Sequence, residues 1–344
     1  MKTILFLLCC MTSGVLASAQ TNIIFETDMG NDIEDAIALD ILYKLDNKKE
    51  VNLMAIMLNK MGDYPLQYVD LLNTWYGHKK LPIGRIGADN PDIWPKPNFT
   101  KVVVDMEGED GKPMYKRTIR NVQKLPLAPD LYRKLLSKAK DKSVTIVSVG
   151  FCTNLALLLD TKGDKYSPLS GKELVEKKVD RLVIMAGHMT DPDFKEWNVK
   201  GDASACQKVY REWPTNVFTM PCELGFKIRY PGHRFYDDLA WAEHHPLADS
   251  RRNYRTNFKD TPMWDSSSVL FAVEPEMFGL SPCGRITITD DAKSRFIPEE
   301  SGNHYYLVAS EDQVSKIVDY YIGIIPQKPT KGKWRHLLSS SSKD

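Results

Sequence analysis

The sequence predicts an α/β protein with an open, mostly parallel, twisted sheet and helices on both of its faces. Strand-like and helix-like segments alternate along the chain, and this repeated order is typical of such a sheet. Acidic or glycine-containing segments follow directly after several of the strands. Because the ligands of open parallel sheets bind beyond the carboxyl ends of the strands, these segments are the first candidates for a functional site.

The predicted elements follow one another as strands and helices in alternation. A first strand at 22–27 precedes a helical apolar period over 32–45 that opens on acidic residues. The remaining predictions are strands 52–58, 144–149, 181–186 and 216–220, helices 66–76, 153–159, 203–213, 268–273 and 311–324, and β-like runs 285–289 and 304–309. Between about residues 89 and 124 the pattern lapses into Pro, Gly and charge, so we expect a long loop over the site; a surface insertion is the alternative.

The N-terminus has the pattern of a secretory signal peptide. Lys2 is followed by an apolar run over 4–11 and then by Ala17, Ser18 and Ala19, a small-x-small cleavage site. A buried helix and a membrane anchor are the alternatives, but the run is too short to span a bilayer comfortably. We therefore expect export to the periplasm or the medium, and no membrane span. The predicted division is a signal peptide at 1–20, one α/β domain at 21–326 and a C-terminal tail at 327–344.

Charge and cysteine content exclude some classes of protein. Lys plus Arg (46) and Asp plus Glu (45) nearly balance over the 344 residues, and no basic stripe is present, so nucleic acid is not a predicted partner. Loss of the signal peptide would leave four cysteines, Cys152, Cys206, Cys222 and Cys283, whose spacing matches no zinc site. A disulfide between Cys206 and Cys222 and four buried thiols are both compatible with the sequence.

The segment after the first strand is unusually acidic. Asp28, Asp32, Glu34 and Asp35 stand within eight residues, so their carboxylates repel one another. A helix N-terminus would offset at most about 1 kcal/mol per charge, whereas a hard divalent cation such as Ca²⁺ or Mg²⁺ resolves the conflict much better. The alternative is that Asp32 caps the helix and its neighbours are surface charges.

Further polar segments follow later strands. Glu196 and Asn198 stand close together, and such a pair suits the recognition of hydroxyl groups because Glu accepts hydrogen bonds while Asn both donates and accepts them. A polar loop is the alternative. Gly150 opens a Gly-Phe-Cys-Thr-Asn segment after the central strand, and Gly187-His188 follows the next one.

Together these segments resemble the inosine–uridine-preferring nucleoside hydrolase family over most of the chain. The family opens with Asp-Thr-Asp-Pro-Gly-x-Asp-Asp-Ala, which here reads Glu26 to Ala36, with Met29 in place of the proline and two extra residues before the acidic pair. Four further matches follow in the family's order: 148–154, 185–188, 196–205 and 264–265. The resemblance implies the nucleoside-hydrolase fold, which has a Rossmann-like core.

The resemblance also implies roles for individual residues. The implied Ca²⁺ ligands are the side chains of Asp28, Asp35 and Asp265 and the main-chain carbonyl of Val149. Asp28 would also act as the general base on water. The implied substrate-binding residues are Glu34, or Asp32 as its rival because of the insertion, together with Glu196, Asn198 and Asn59.

The chain departs from the family where the late His-Asp pair becomes Trp264-Asp265. The family's histidine helps to protonate the leaving base, whereas an indole offers only an apolar face and an N–H donor. Trp264 could stack on a base. His188, His233 and Tyr230 are the candidates for a replacement acid, and ordinary polar residues are the alternative reading of all three.

We therefore predict a Ca²⁺-dependent hydrolase that cleaves the N-glycosidic bond of ribonucleosides or related N-ribosides into free base and sugar. An anionic pocket suits the positive charge that develops on the sugar ring. The alternative is a ribose- or nucleoside-binding protein that retains the metal site with little or no catalysis. A metal-assisted phosphoesterase is a third reading, although histidine ligands for a second metal are lacking. The resemblance implies a homodimer or homotetramer.

Overall fold

The computed structural model of the chain describes residues 20–87, 99–254, 260–332 and 334. A ten-stranded mixed sheet runs through it, and a separate two-stranded sheet lies beside it. The strands are β1 (Thr21–Thr27), β2 (Val51–Leu58), β3 (Ile83–Gly84), β4 (Val144–Ser148), β5 (Val179–Met185), β6 (Asn216–Met220), β7 (Arg229–Tyr230), β8 (Thr261–Pro262), β9 (Gly279–Leu280), β10 (Gly284–Ile288), β11 (Ser294–Pro298) and β12 (His304–Val308).

Helices connect and cover these strands. They are α1 (Glu34–Lys48), α2 (Asp63–Trp75), α3 (Phe99–Val104), α4 (Ala128–Leu136), α5 (Thr153–Asp160), α6 (Gly171–Lys178), α7 (Trp197–Gly201), α8 (Ala203–Glu212), α9 (Cys222–Lys227), α10 (Arg234–Leu239), α11 (Pro246–Tyr254), α12 (Trp264–Val273) and α13 (Glu311–Ile324). Two short 3₁₀ turns lie at Val122–Lys124 and Pro275–Met277. Within the described residues, no helix combines the length and the apolar content that crossing a bilayer requires.

The centre of the sheet is parallel and its far edge is antiparallel. From one edge the strand order is β3, β2, β1, β4, β5, β6 and β12, with every neighbour parallel. The hairpin β10–β11 then continues the sheet in antiparallel pairing with β12. The prediction of an open, mostly parallel sheet flanked by helices is therefore confirmed.

The alternation of side chains along the central strands divides the core into two layers. In β1, Ile23 and Phe25 pack with α1, α2 and α12 on one face, while Ile24 packs with α4, α5 and α8 on the other. All three side chains are fully buried. Successive residues of a strand point to opposite faces, so a fully apolar strand is expected where both faces are covered.

The register brings four strand ends to one level. Glu26 of β1 pairs with Ser148 of β4, Ser148 pairs with Ile184 of β5, and Thr27 pairs with Leu58 of β2. The residues that come next along the chain therefore meet at one edge of the sheet. This edge carries the acidic segment that begins at Asp28.

The segment at 89–124 is more ordered than the sequence indicated. The loop prediction was wrong for residues 99–104, which form α3 and pack against α2 and α11. Further along, the Tyr115 hydroxyl donates to Asp249 at 2.5 Å, and the Thr118 backbone N–H donates to Asp70 at 2.6 Å. Residues 88–98 lie outside the described residues.

The ends of the chain are described only in part. The predicted signal peptide lies outside the described residues, except for Gln20. At the other end, Trp334 is 5% exposed and packs edge-on against Trp241, with ring centroids 5.1 Å apart. Residues after 334 lie outside the described part of the chain.

The four cysteines of the described part are free thiols. The Cys206 thiol, whose pKa is raised, interacts with Cys152 rather than with Cys222.

Candidate active site

A cavity of about 370 Å³ lies at the carboxyl ends of β1, β4 and β5. Its described lining carries six carboxyl groups, from Asp28, Asp32, Glu34, Asp35, Glu196 and Asp265. Asn198, Trp264 and the Val149 segment also line it. The structure thus brings most of the predicted site residues together, although they come from distant parts of the chain.

Hydrogen bonds within the loop after β1 fix its acidic side chains. The Thr27 hydroxyl donates to the Asp35 carboxylate and accepts the backbone N–H of Met29 at 3.0 Å. The Asn31 amide donates to Asp28 at 2.5 Å. Gly30 has φ = 106°, a conformation that favours glycine. The loop therefore turns sharply and aims Asp28 and Asp35 at the same space.

A buried lysine approaches this loop from the end of β2. Lys60 is 5% exposed, and its ammonium group donates to the side-chain oxygen of Asn31. It also lowers the pKa of Asp28, although burial raises that pKa more strongly. Lys60 is thus a positive charge one side chain away from the acidic group.

Glu34 connects the starts of α1 and α12. The backbone N–H of Asp265 donates to Glu34 Oε2 at 2.9 Å. The other carboxylate oxygen, Oε1, is buried and has no hydrogen-bond partner. A buried carboxylate oxygen without a partner is unfavourable, so it marks the place where a ligand's donor or a cation fits.

Asp32 is held differently from Glu34. Its Oδ2 accepts the Tyr254 hydroxyl at 2.8 Å, and its Oδ1 accepts the Glu34 backbone N–H at 3.2 Å. Asp32 therefore ties α11 to the start of α1, and both of its oxygens have a protein donor.

The carboxyl groups disturb one another electrostatically. Burial raises the pKa of Asp35, and the negative charges of Asp28 and Asp265 raise it further. Burial also raises the pKa of Asp265, with Glu34 and Asp28 as the next largest causes. The pKa of Glu34 is likewise raised, first by burial and then by the negative charge of Asp32. Like charges brought together out of water in this way favour either protonation or a bound cation.

The donor chemistry of this group fits a hard divalent cation. The ligands on offer are carboxylate and carbonyl oxygens, and Glu34 Oε1 is unpartnered. Across the described ranges, no three His, Cys, Asp or Glu side chains already form a set of metal ligands. Binding an ion would therefore draw the carboxylates inward, which the loss of their mutual repulsion favours.

Glu196 and Asn198 connect the ends of β4 and β5. The Glu196 carboxylate caps α7 by accepting the backbone N–H groups of Asn198 and Val199, at 2.9 and 3.1 Å, and it also accepts that of Gly187 at 3.1 Å. Burial raises the pKa of Glu196 to about 7. The Asn198 amide donates to the carbonyl of Val149 at 3.0 Å. This pair holds the two strand ends as well as lining the cavity.

Trp264 forms an aromatic wall with Phe226. Its indole N–H donates to the carbonyl of Cys222 at 2.8 Å, and its ring meets Phe226 edge-on at 5.0 Å. Gly225 lies so close that a Cβ there would stand 1.8 Å from Trp264 Cδ1. A second cavity of about 280 Å³ shares five lining residues with the first: Asp32, Glu34, Phe226, Tyr254 and Trp264.

Four candidates from the sequence do not line the main cavity. The Asn59 amide donates to Glu26 at 3.1 Å and to the Phe151 carbonyl at 2.8 Å, behind the strand ends. His188 packs on Phe194 at 4.7 Å, and its Nδ1 accepts the Asp191 N–H at 3.0 Å. The other two are Tyr230, whose hydroxyl donates to Asp238, and His233.

Sequence reasoning missed Glu26, which lies beneath the site. Its buried carboxylate accepts the Tyr132 hydroxyl at 2.5 Å and the Asn154 amide at 2.7 Å, and burial raises its pKa to about 7. Its position directly after the apolar run Ile23 to Phe25, at the start of the first motif, was the available signal. Lys60 and Tyr254 were also missed, and nothing near them in the sequence indicates their contacts.

Fold and site together define an α/β protein with an acidic small-molecule cavity at the carboxyl edge of its sheet. The family model for inosine-uridine preferring nucleoside hydrolase matches residues 23–320, and the chain belongs to this family. It is therefore an N-glycosyl hydrolase of a metal-dependent family, and the resemblance predicted from the motifs is confirmed. No curated protein matches the chain.

Solved structures share the fold at low sequence identity. The purine-preferring ribonucleoside hydrolase from Gardnerella vaginalis has a TM-score of 0.68 at 15% identity, over 89% of this chain and 98% of its own. The inosine-uridine preferring nucleoside hydrolase from Bacillus anthracis has a TM-score of 0.64 at 16% identity, over 89% and 99%. The type III effector protein XopQ, solved with adenosine diphosphate ribose, has a TM-score of 0.63 at 12% identity, over 90% and 94%.

Proposed function

We propose that the protein is a Ca²⁺-dependent hydrolase that releases free base and sugar from ribonucleosides or related N-ribosides. One observation carries the proposal. Six carboxyl groups converge on a cavity of about 370 Å³ at the carboxyl edge of the sheet. Such a pocket stabilises the positive charge that develops on the sugar ring as the N-glycosidic bond breaks.

The calcium ion would be held by Asp28, Asp35, Asp265 and the Val149 carbonyl, which the cavity brings together. When bound, it would lower the pKa of water in the cavity and offset the repulsion among the carboxylates. Asn198 is not one of these ligands, but its amide donates to the Val149 carbonyl and so fixes the direction of that carbonyl.

Asp28 takes the proton from the attacking water in this proposal. The Asn31 amide holds one of its oxygens at 2.5 Å, and Asn31 in turn accepts from Lys60. This chain of contacts orients the carboxylate towards the cavity. When the base and the water are held in this way, the reaction between them becomes effectively unimolecular.

Glu34 is the better candidate for the ribose hydroxyls. Its Oε1 is buried without a partner, whereas both oxygens of Asp32 accept donors from the protein. A sugar hydroxyl would satisfy Glu34 Oε1 directly. Asp32, Glu196 and Asn198 also line the cavity, whereas Asn59 does not.

Export and assembly are part of the proposal. The apolar run and the Ala-Ser-Ala site at the N-terminus support export to the periplasm or the medium. A homodimer or homotetramer is supported only by the family resemblance. Mass spectrometry of the mature N-terminus and light scattering of the purified protein test the two points separately.

The experiment is an activity panel of nucleosides and ribosides, with and without chelator, in which released base and reducing sugar are both measured. We expect turnover that chelator abolishes and Ca²⁺ restores, and an inactive but folded Asp28→Ala variant. Full activity of Asp28→Ala would overturn the mechanism.

A second candidate function is the binding of ribose or nucleosides without efficient catalysis. The feature that favours it is Trp264, whose N–H already donates to the Cys222 carbonyl. By the motif resemblance alone, Trp264 takes the place of the family's histidine that assists the leaving base. Calorimetric binding without base release over a long incubation would favour this function, and rapid release would exclude it.

A further inference from the structure

Among the described residues, no imidazole lines the cavity to act as an acid on the leaving group. Of the seven histidines in the sequence, six lie in the described residues, and none of these six lines the cavity. The seventh, His336, lies outside the description. The segment 255–259, next to Tyr254, contains no histidine either.

The other candidate proton donors of the described lining are engaged elsewhere or weakly acidic. Both oxygens of Glu196, whose pKa is about 7, already accept backbone N–H groups. The clustered acids around Asp28 would be ionised beside a bound divalent cation. The Tyr254 hydroxyl donates to Asp32 at 2.8 Å, and the Trp264 N–H donates to the Cys222 carbonyl. Burial raises the pKa of the Cys222 thiol, which makes it a weaker acid. The ammonium group of Lys195, which lines the cavity, is engaged with Asp291 at 3.6 Å.

The same cavity is well suited to a positively charged ring. Its described lining carries six carboxyl groups against the single ammonium group of Lys195, so acids remain in excess even with a divalent cation bound. Phe226, Trp264 and Tyr254 supply aromatic walls, and Phe226 is 41% exposed. Aromatic faces attract cations as well as stacking on flat rings.

We infer that the preferred substrates are N-ribosides whose base already carries a fixed positive charge, such as a pyridinium riboside or a purine riboside alkylated at N7. This inference rests on the proposed function and names the substrate class for the same cavity. A base of this kind leaves as a neutral molecule, so the missing acid is not needed.

The reaction balances without an acid for the leaving group. The bond between C1′ and the ring nitrogen breaks, and its electron pair goes to the nitrogen and cancels the ring's positive charge. Water adds its oxygen to C1′, and its proton passes to Asp28 and then to solvent. A neutral nucleoside would require the same steps plus a proton on the departing base.

The test compares 7-methylguanosine with guanosine at slightly acidic pH, where the methylated ring keeps its charge. We expect kcat/KM to be about 100-fold or more higher for the methylated substrate, the lower range of what a general acid contributes. The spontaneous hydrolysis of both compounds is measured in parallel. After division by those spontaneous rates, the enhancement for guanosine should not exceed that for 7-methylguanosine.

A guanosine enhancement that is larger by about 100-fold would reveal a working leaving-group acid and overturn the inference, while leaving the proposed function intact. Similar kcat/KM values for the two substrates would also overturn it. If neither compound, nor nicotinamide riboside, nor any neutral nucleoside is hydrolysed, the proposed function itself fails.

A binding measurement gives an independent readout. 1-Methylnicotinamide and nicotinamide differ in a methyl group and a charge, and we expect the charged ring to inhibit about tenfold more strongly. The Phe226→Leu variant removes one exposed aromatic face and should reduce this preference without changing the carboxylates. Equal inhibition by both rings in the unmodified protein would contradict the inference.

Discussion

Glu34 and Asp32 are both acidic and stand two residues apart, yet their surroundings give them different tasks. Glu34 keeps one buried oxygen without a partner, while Asp32 is fully engaged by Tyr254 and by the Glu34 backbone. The insertion in the first motif left the choice between them open in the sequence. The hydrogen bonds support Glu34 as the residue that meets the sugar.

A conservative substitution tests this assignment. In Glu34→Gln the amide oxygen can still accept the Asp265 N–H, but the amide nitrogen would face the sugar and cannot accept a hydroxyl. We expect kcat/KM to fall by about 10- to 100-fold, which corresponds to the loss of a hydrogen bond to a charged group of ~1.5–3 kcal/mol. Steady-state kinetics measure this change.

Asp32→Asn is the matched control for that substitution. It changes a neighbouring carboxylate that has protein donors on both oxygens, so its effect on kcat/KM should be smaller than that of Glu34→Gln. A larger effect in Asp32→Asn would assign the sugar contact to Asp32 instead.

At the scale of elements, the starts of α1 and α12 meet over the acidic group. Glu34 and Asp35 open α1, and Asp265 stands in the first turn of α12. The partial positive charge at each helix start is favourable for these acids but offsets only part of their repulsion. A cation bound between the two helix starts would offset the remaining repulsion.

Calcium should therefore stabilise the fold. At a concentration about 100 times its Kd, a ligand that binds only the folded state adds ~2.7 kcal/mol, or roughly 5 °C in Tm for a domain of this size. We expect this shift in thermal unfolding, and its reversal by chelator. Asp35→Asn should abolish the shift and, without calcium, should be no less stable than the unmodified protein. A full calcium shift in Asp35→Asn would rule out its role as a ligand.

His304 gives strand β12 a pH dependence of its own. Burial, and then the nearby Arg285, lower the pKa of His304 to about 4, while its Nδ1 accepts the Ile286 N–H at 2.9 Å. The unfolded chain binds a proton near pH 6.5, before the folded chain does. Stability is therefore unaffected above pH 6.5 and falls as the pH drops towards 4, by ~3 kcal/mol in total.

Urea unfolding between pH 4 and 7 measures this loss. In His304→Asn the side-chain oxygen can replace Nδ1 as an acceptor but does not titrate. We expect the variant to lose less stability on acidification than the unmodified protein, whatever its stability at pH 7. The same pH dependence in both proteins would show that His304 is not the cause.

At the scale of the molecule, Trp334 of the C-terminal segment belongs to the packed structure. Trp334 is buried against Trp241, beyond the boundary at residue 326 that the sequence suggested. Trp334→Ala should lower the free energy of unfolding by ~3 kcal/mol, as for other buried tryptophans. Chemical denaturation measures this loss. A loss below about 1 kcal/mol in Trp334→Ala would indicate a loosely attached tail.

How far the sequence determined the fold and the site differs between elements. Helix α13 was predicted with its observed bounds, and the structure shows a capping box of Ser310 and Gln313 at its start. Helix α6 was missed although Ser170 and Glu173 form the same motif, since its apolar pattern is short. Contacts between residues that are distant in the sequence could not be predicted. The bond from Tyr254 to Asp32 spans 222 residues, and no local pattern encodes it.

The close approach of Gly225 to Trp264 makes these two positions mutually dependent. A methyl group at 225 would overlap the indole, so Gly225→Ala should be strongly destabilising, while a histidine at 264 would leave a void above the glycine. A double-mutant cycle should show a coupling of ~0.5–3 kcal/mol, with Gly225→Ala better tolerated beside Trp264→His. An exchange at position 264 is therefore coupled to residue 225, and the two substitutions are best introduced together.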